Sequence, residues 1–254
     1  MSIHRLAAQG FAAASDTYER GRPDYPRDAV EILIDVLRLR PGAAVLDLGA
    51  GTGKMTRLIA RTGARPFALE PVEEMRRKLA EAVPEATTLD GVAESIPLPD
   101  ASIDAAVAAQ SFHWFHADLT LPELHRVLRP RGRLALVWNM RDTRVDWVGR
   151  LSAILDRHGR DAPHYRSGEW RAALAASPRF APLAESEIDH AQELDVAGLI
   201  ERAASISYIA ALPPAERAVV LGEVRDLALT HPDLAGRRTF TFPYRTLISA
   251  YERR

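Results

Sequence analysis

The chain has 254 residues, 47% of them hydrophobic, enough for one sizeable core and no obvious second one. A formal net charge of −1 gives no reason to expect nucleic acid or an anionic membrane as a partner, and the absence of cysteine removes disulfide and thiolate chemistry. The N-terminus lacks an apolar signal core and no apolar run is long enough to span a bilayer, so a cytoplasmic protein is expected.

In chain order, Met1 to Arg22 is polar with an alanine-rich patch and helical periodicity from Phe11 to Tyr18. Pro23-Asp24-Tyr25-Pro26 interrupts it, because each proline disfavours helix in the residue before it. Asp28 to Leu39 reads as a helix with an apolar face of Val30, Ile32, Leu33, Val36 and Leu37. Pro41-Gly42 turns the chain into a short buried strand, Val45 to Leu48. Gly49-Ala50-Gly51-Thr52-Gly53 follows, and then a helix over Lys54 to Ala60 with Gly63 suited to its C-cap. Glycines between a strand end and a helix start let a ligand approach the amides of the helix N-terminus.

The spacing narrows what that ligand is. Lys54 stands where a dinucleotide fingerprint has its third glycine, and Met55 follows Lys54 where a phosphate loop needs Ser or Thr. Glu70 ends the next apolar run, Phe67 to Leu69, in position to bind both ribose hydroxyls. Nucleoside binding without a pyrophosphate is therefore expected. A nicotinamide oxidoreductase is further disfavoured by the lack of a Tyr-x-x-x-Lys donor pair.

Pro71 to Ala82 reads as a helix with Met75 and Leu79 inward, Thr87 to Leu89 as a third strand and Ile103 to Gln110 as a fourth. Gln110 to His116 then falls at a strand carboxyl end, where open α/β sheets bind ligands. His113 and His116 are spaced i, i+3 with no cysteine or carboxylate to complete a site, so no metal is expected. A helix opened by Pro122, Leu121 to Leu128, leads through Pro130-Arg131-Gly132 to strand five, Leu134 to Trp138. Arg141 to Pro178 reads as an insertion shaping the pocket at the strand carboxyl ends. It holds one helix faced by Trp147, Leu151, Ile154 and Leu155 and a second over Glu169 to Ala175. Leu183 to Leu194 is strand six, Val196 to Ala211 and Pro214 to Leu229 are helices, and Arg237 to Tyr251 holds the last strand.

VLDLGAGTGKMTRLIA, ALEPVEEMR, GVAESIPLPDASID, AAQSFHWFH and ELHRVLRPRGRLALVW, in this order, resemble the motifs of class I S-adenosylmethionine methyltransferases. With YERGRPDYP ahead of them the chain resembles the small-molecule, trans-aconitate methyltransferase-like branch, the match covering residues 18 to about 140. The resemblance implies an α/β, Rossmann-like fold. Its seven-stranded sheet is mostly parallel with the last strand antiparallel, with helices on both faces. An N-terminal helical lid and a helical insertion after strand five complete it. One domain over 1–254 is expected, divided into a lid and first helix (1–40), a cofactor-binding core (41–140), the insertion (141–180) and C-terminal strands and helices (181–254).

The implied cofactor is S-adenosyl-L-methionine, leaving as S-adenosyl-L-homocysteine. The resemblance carries its contacts onto Tyr18, Arg22, Asp47, Gly49, Ala50, Gly51, Thr52, Gly53, Glu70, Pro71, Met75, Ala93, Glu94 and Gln110. Adenine recognition falls to the Ala93 backbone and Glu94, because Val92 occupies the position commonly held by aspartate. Tyr25, Phe112, Trp114, Trp138 and Asn139 are expected around the acceptor, and His113 is the one histidine placed to orient it or take its proton. The expected reaction is methyl transfer to a small molecule, with a small carboxylic acid as the leading acceptor. An oxygen, nitrogen or carbon acceptor in a natural-product or lipid-precursor pathway is the alternative, and a non-catalytic S-adenosylmethionine-binding regulator is the reading from another class. A monomer or homodimer is expected.

Overall fold

The computed structural model describes residues 21–159 and 168–254; Tyr18 and the expected helix over residues 11–18 lie outside them. After the first helix, α1 (Arg27–Val36), strands and helices alternate: β1 (Ala44–Leu48), α2 (Lys54–Arg61), β2 (Arg65–Leu69), α3 (Glu73–Ala82) and β3 (Thr87–Leu89). Then come β4 (Ile103–Ala109), a 3₁₀ turn (Phe112–Trp114), α4 (Ala117–Val127) and β5 (Leu128–Arg141). The remainder is α5 (Asp146–Asp156), α6 (Glu169–Ala176), β6 (Phe180–Leu194), α7 (Val196–Ala204), α8 (Ser207–Ala210), α9 (Pro214–Thr230) and β7 (Phe240–Arg253).

The strands form one sheet in the order β3-β2-β1-β4-β5-β7-β6, in which β7 runs antiparallel to both of its neighbours. β1 shows why its sequence is an apolar run. Ala44, Leu46 and Leu48 feed one core, with Leu124 and Leu136. Val45 feeds a second on the opposite face, with Leu33, Ile59 and Ile248. A strand covered by helices on both faces has no solvent side to mark with polar residues. A third core lies at the far end of β7, where Phe240, Phe242 and Tyr244 pack with Trp147 and Leu151 of α5 and with residues of α7 and α9.

Two local expectations are corrected. Pro122 does not open α4 but lies inside it. The helix begins five residues earlier, where the Glu94 carboxylate accepts the His116 amide at 2.8 Å and the buried side chains of Thr120, Leu121, Leu124 and Val127 hold the turn around the proline. Pro130-Arg131-Gly132 is not a turn before β5 but a bulge within it, because pairing with β4 runs from Ile103↔Leu128 to Ala105↔Arg133. Arg131 takes the left-handed φ of 63° there, as bulges commonly require. No helix among the described residues is long and apolar enough to cross a membrane.

Candidate active site

The order of the sheet reverses at β1, which has β2 on one side and β4 on the other. Connections therefore leave in opposite directions and open a crevice at the strand carboxyl ends, where α/β folds bind ligands. A cleft of about 540 Å³, counting its open mouth, lies there.

Its floor is the glycine turn. The Gly49 and Ala50 amides donate to Leu69 O at 2.9 and 3.1 Å, bending the chain over the end of β2. Gly49 has φ +64°, and a Cβ there would stand 2.8 Å from the Ser111 Cβ, so the position is closed to side chains on both counts. Ser111 is itself held to β1 by its hydroxyl, which donates to Leu48 O at 2.6 Å. Gly51 also has a left-handed φ, +58°, but a Cβ there would meet nothing nearer than the Met75 Sδ at 3.9 Å. Gly53, φ +89°, begins α2.

Two buried carboxylates support the turn. Glu70 is 5% exposed; its Oε2 accepts the Gly51 amide at 2.8 Å and its Oε1 the Val72 amide at 2.9 Å. Asp47 is 1% exposed and accepts the Thr56 hydroxyl on Oδ2 at 2.6 Å, which ties α2 to β1. Its Oδ1 has no hydrogen-bond partner among the described residues. Burial pushes the Asp47 carboxyl up to about 7 against the Thr56 hydrogen bond, with the nearby Glu70 charge adding to the rise. Burial raises Glu70 as well, opposed by the amides of Val72 and Gly51.

The roof comes from opposite ends of the chain. Lys54 reaches from the first turn of α2 to Arg22 O at 2.8 Å and to the Asp24 carboxylate at 3.1 Å. Gly21 lies against α7, where a Cβ would stand 3.2 Å from both Arg202 Cα and Glu201 O, and Arg22 donates to Ser205 O at 3.4 Å. Residues 21–24 therefore bridge the glycine turn and α7, with Arg22, Pro23, Tyr25 and Arg202 on the cleft wall. Sequence reasoning missed Lys54 as a tether and Arg202 altogether. Lys54 carried a signal, being a cation where a dinucleotide site has glycine; Arg202 carried none, being one of two adjacent charged residues, with Glu201, in an otherwise apolar helix.

The remaining wall is Ala109, Gln110 and Asn139 at the ends of β4 and β5. Gln110 has φ +60°, an uncommon conformation for a side-chain-bearing residue that clusters at functional sites. Its Nε2 donates to Asn139 O at 3.3 Å, and Asn139 Oδ1 accepts the Thr246 hydroxyl at 2.7 Å.

Of the expected site residues, Arg22, Tyr25, Asp47, Gly49, Ala50, Gly51, Thr52, Gln110 and Asn139 converge on this cleft. Glu70 and Met75 stand immediately behind Gly51. Phe112 and Trp138 do not supply planar walls: each is 1% exposed, Phe112 packing edge-on to Phe115 and Trp138 against Trp170 at 4.4 Å. Their positions face the helix-covered core, not the crevice. His113 Nδ1 accepts the Trp138 indole N–H at 3.4 Å, and its ring lies 5.1 Å from Trp114. Ala93 is buried in the core and Glu94 holds the start of α4. No described residue of the insertion is on the cleft wall. Its helices supply core instead, α5 to the third cluster and α6 to the first. No metal-binding cluster of His, Cys, Asp or Glu occurs among the described residues.

Residues 46–136 match the methyltransferase domain family. An uncharacterized methyltransferase of Mycobacterium tuberculosis is 39% identical over 237 residues, 93% of each chain. A solved structure from Anaeromyxobacter dehalogenans, described as a type II methyltransferase, is 26% identical and covers 91% of this chain and 97% of its own at a TM-score of 0.67. Geranyl diphosphate methyltransferase, solved in complex with S-adenosylmethionine, shares the fold at a TM-score of 0.52 and 17% identity, covering 89% and 85%. The chain belongs to the class I S-adenosylmethionine-dependent methyltransferases.

Proposed function

We propose that the cleft over the Gly49–Gly53 turn binds S-adenosylmethionine and that the chain transfers its methyl group to a carboxylate oxygen of a small organic acid. The observation that carries the cofactor reading is the orphaned Asp47 Oδ1 beside a turn whose Gly51 amide is already oriented by Glu70. A buried acceptor without a donor is costly, and an ammonium group from the cofactor's amino-acid end would satisfy it. Glu70 keeps lone pairs beyond those used by the two amides, which suits it to the ribose hydroxyls. Ala50, Thr52 and Gly53 shape the turn around the ligand, and Pro71, Met75 and the 92–95 loop border the adenine side.

When bound, the cofactor supplies a methyl on a positively charged sulfur, already activated for transfer. The protein's work is then to position the acceptor and exclude water, which can lower a barrier by roughly 7–11 kcal/mol. Gln110, Asn139 and Tyr25 line the wall beyond the glycine turn and orient the acceptor. A carboxylate acceptor is ionised at neutral pH and needs no general base, which fits a cleft whose described wall contains no histidine.

Calorimetric titration with S-adenosylhomocysteine and with NAD tests the cofactor, and transfer from labelled S-adenosylmethionine to a panel of small acids tests the acceptor. NAD binding with no response to S-adenosylhomocysteine would sink the first reading. Transfer only to amines, phenols or carbon acids would sink the second and favour a natural-product or lipid-precursor acceptor.

A further inference from the structure

Thr246 is 0% exposed and lies within β7, directly opposite Asn139 of β5 on one side and Ile188 of β6 on the other. Its neighbours along the same face of the strand are Tyr244 and Ile248, both buried. A hydroxyl in such a place costs free energy unless it is hydrogen-bonded, and a valine of nearly the same shape would avoid that cost. The Thr246 hydroxyl donates to Asn139 Oδ1 at 2.7 Å. Asn139 belongs to a residue type depleted in strands, yet it stands at the carboxyl end of β5 on the wall of the cleft.

The bond between them settles which end of the Asn139 carboxamide meets the cleft. That group carries an acceptor oxygen on one branch and a nitrogen with two donors on the other. With Oδ1 held against β7, Nδ2 is the end turned away from the strand. A carboxamide without this tether could turn over and present either atom to a ligand; Thr246 removes the choice. The main chain around it is fixed as well, because Gln110 Nε2 donates to Asn139 O at 3.3 Å and the Gln110 amide donates to Val137 O at 2.8 Å. The ends of β4 and β5 are thereby tied together beside the glycine turn.

We infer that Thr246 is a positioning residue for methyl transfer, holding Asn139 so that Nδ2 donates to the carboxylate oxygen of the acceptor that does not attack. The inference rests on the carboxylate acceptor proposed above and says which of its two oxygens the wall binds. A donor on the attacking oxygen would draw on the electron pair that must reach the methyl carbon. A donor on the other oxygen leaves that pair free and fixes the carboxylate plane, which is the orientation the reaction needs. The free oxygen then forms the O–CH₃ bond, the C–S bond breaks with both electrons passing to sulfur, and no proton moves. Thr246 acts only through Asn139.

The test uses the full chain, methyl-labelled S-adenosylmethionine and four candidate acceptors: crotonate and trans-aconitate as carboxylates, catechol and phenethylamine as other classes. Thr246→Val should raise KM for the methylated acid roughly tenfold, as loss of one hydrogen bond to a charged group implies, with kcat and S-adenosylhomocysteine affinity little changed. Thr246→Ser keeps the hydroxyl and should recover most of the KM. Asn139→Asp keeps the oxygen that Thr246 holds but replaces the donor by a charge, so its KM should rise beyond that of Thr246→Val. A Thr246→Val that lowers Tm but leaves KM unchanged makes the hydroxyl a strand contact alone and overturns the inference. So does an unchanged KM in Asn139→Asp, which places oxygen in the cleft, and so does a loss confined to S-adenosylhomocysteine affinity, which assigns Asn139 to the cofactor. The carboxylate reading fails separately if label passes only to catechol or phenethylamine. There, a KM raised by Thr246→Val and recovered by Thr246→Ser upholds the positioning role, and equal KM values overturn it. A second measurement needs no Thr246 variant to fold. In the ¹⁵N-labelled chain saturated with S-adenosylhomocysteine, the Asn139 carboxamide resonances, assigned by their loss in Asn139→Asp, should shift as the four compounds are titrated in turn. Shifts with the compound that is methylated support the inference; resonances that none of the four moves overturn it.

Discussion

β1 and β6 belong to one sheet but carry opposite kinds of information. β1 is buried at all five positions, whereas β6, fifteen residues long, is fully buried only at its two ends, Phe180 and Leu194. The inner strand closes its part of the site with near neighbours in sequence: Asp47 with Thr56 and Gly51 with Glu70, nineteen residues apart. The edge half contributes through contacts across the whole chain, such as Arg22 with Ser205, 183 residues apart. The floor of the cleft is thus a local device, and its roof exists only because the C-terminal half folds back over it.

Substitutions on the two sides should separate these roles. The largest effect is expected at Gly49→Ala, which combines a left-handed φ with a Cβ contact of 2.8 Å. Strain and overpacking together should cost about 2–5 kcal/mol in denaturant unfolding. Gly42→Ala, with φ +79° and open space around it, isolates the backbone component at about 1–2 kcal/mol. Equal losses at the two sites would mean that the approach to Ser111 is not restrictive.

Next is Glu70→Ala. Removing a charged acceptor should weaken S-adenosylhomocysteine binding by about 1.5–3 kcal/mol in calorimetry. Unchanged affinity would make Glu70 a support for Gly51 alone.

Asp47→Asn sharpens the electrostatics of the floor through pH. A carboxyl at about 7 in the folded chain, against an ordinary value of 3.8, holds its proton more tightly folded than unfolded. Stability therefore falls as pH rises from about 4 to about 7 and levels off above. The difference in unfolding free energy between the unsubstituted protein and Asp47→Asn should decline across that window. A flat difference would show that Asp47 stays ionised throughout.

The smallest effect is expected at His113→Gln. Its Nδ1 holds Trp138, so a small fall in Tm is expected, with kcat and the pH profile of transfer little changed. A large loss of kcat with a missing limb near pH 6.5 would instead restore His113 as the proton acceptor.

The parallel half of the fold was legible because its rules are short-range. An apolar run between turns marks a strand covered on both faces, and glycines at alternate positions mark a turn that only left-handed backbone can make. Lys54 and Met55 argue against a pyrophosphate by spacing alone. The cleft residues from Asp47 to Thr52 follow from the same turn. What the sequence alone could not resolve was the direction of side chains at strand ends: Phe112 and Trp138 read as pocket walls, and packing on Phe115 and Trp170 turned them into the core. Pro122 likewise reads locally as a helix start, whereas the start is held by Glu94, which is distant in sequence from the proline. Arg202 belongs wholly to the tertiary level, because a cation's need for a counter-charge becomes visible only once the fold has removed it from water and left one nitrogen without a partner.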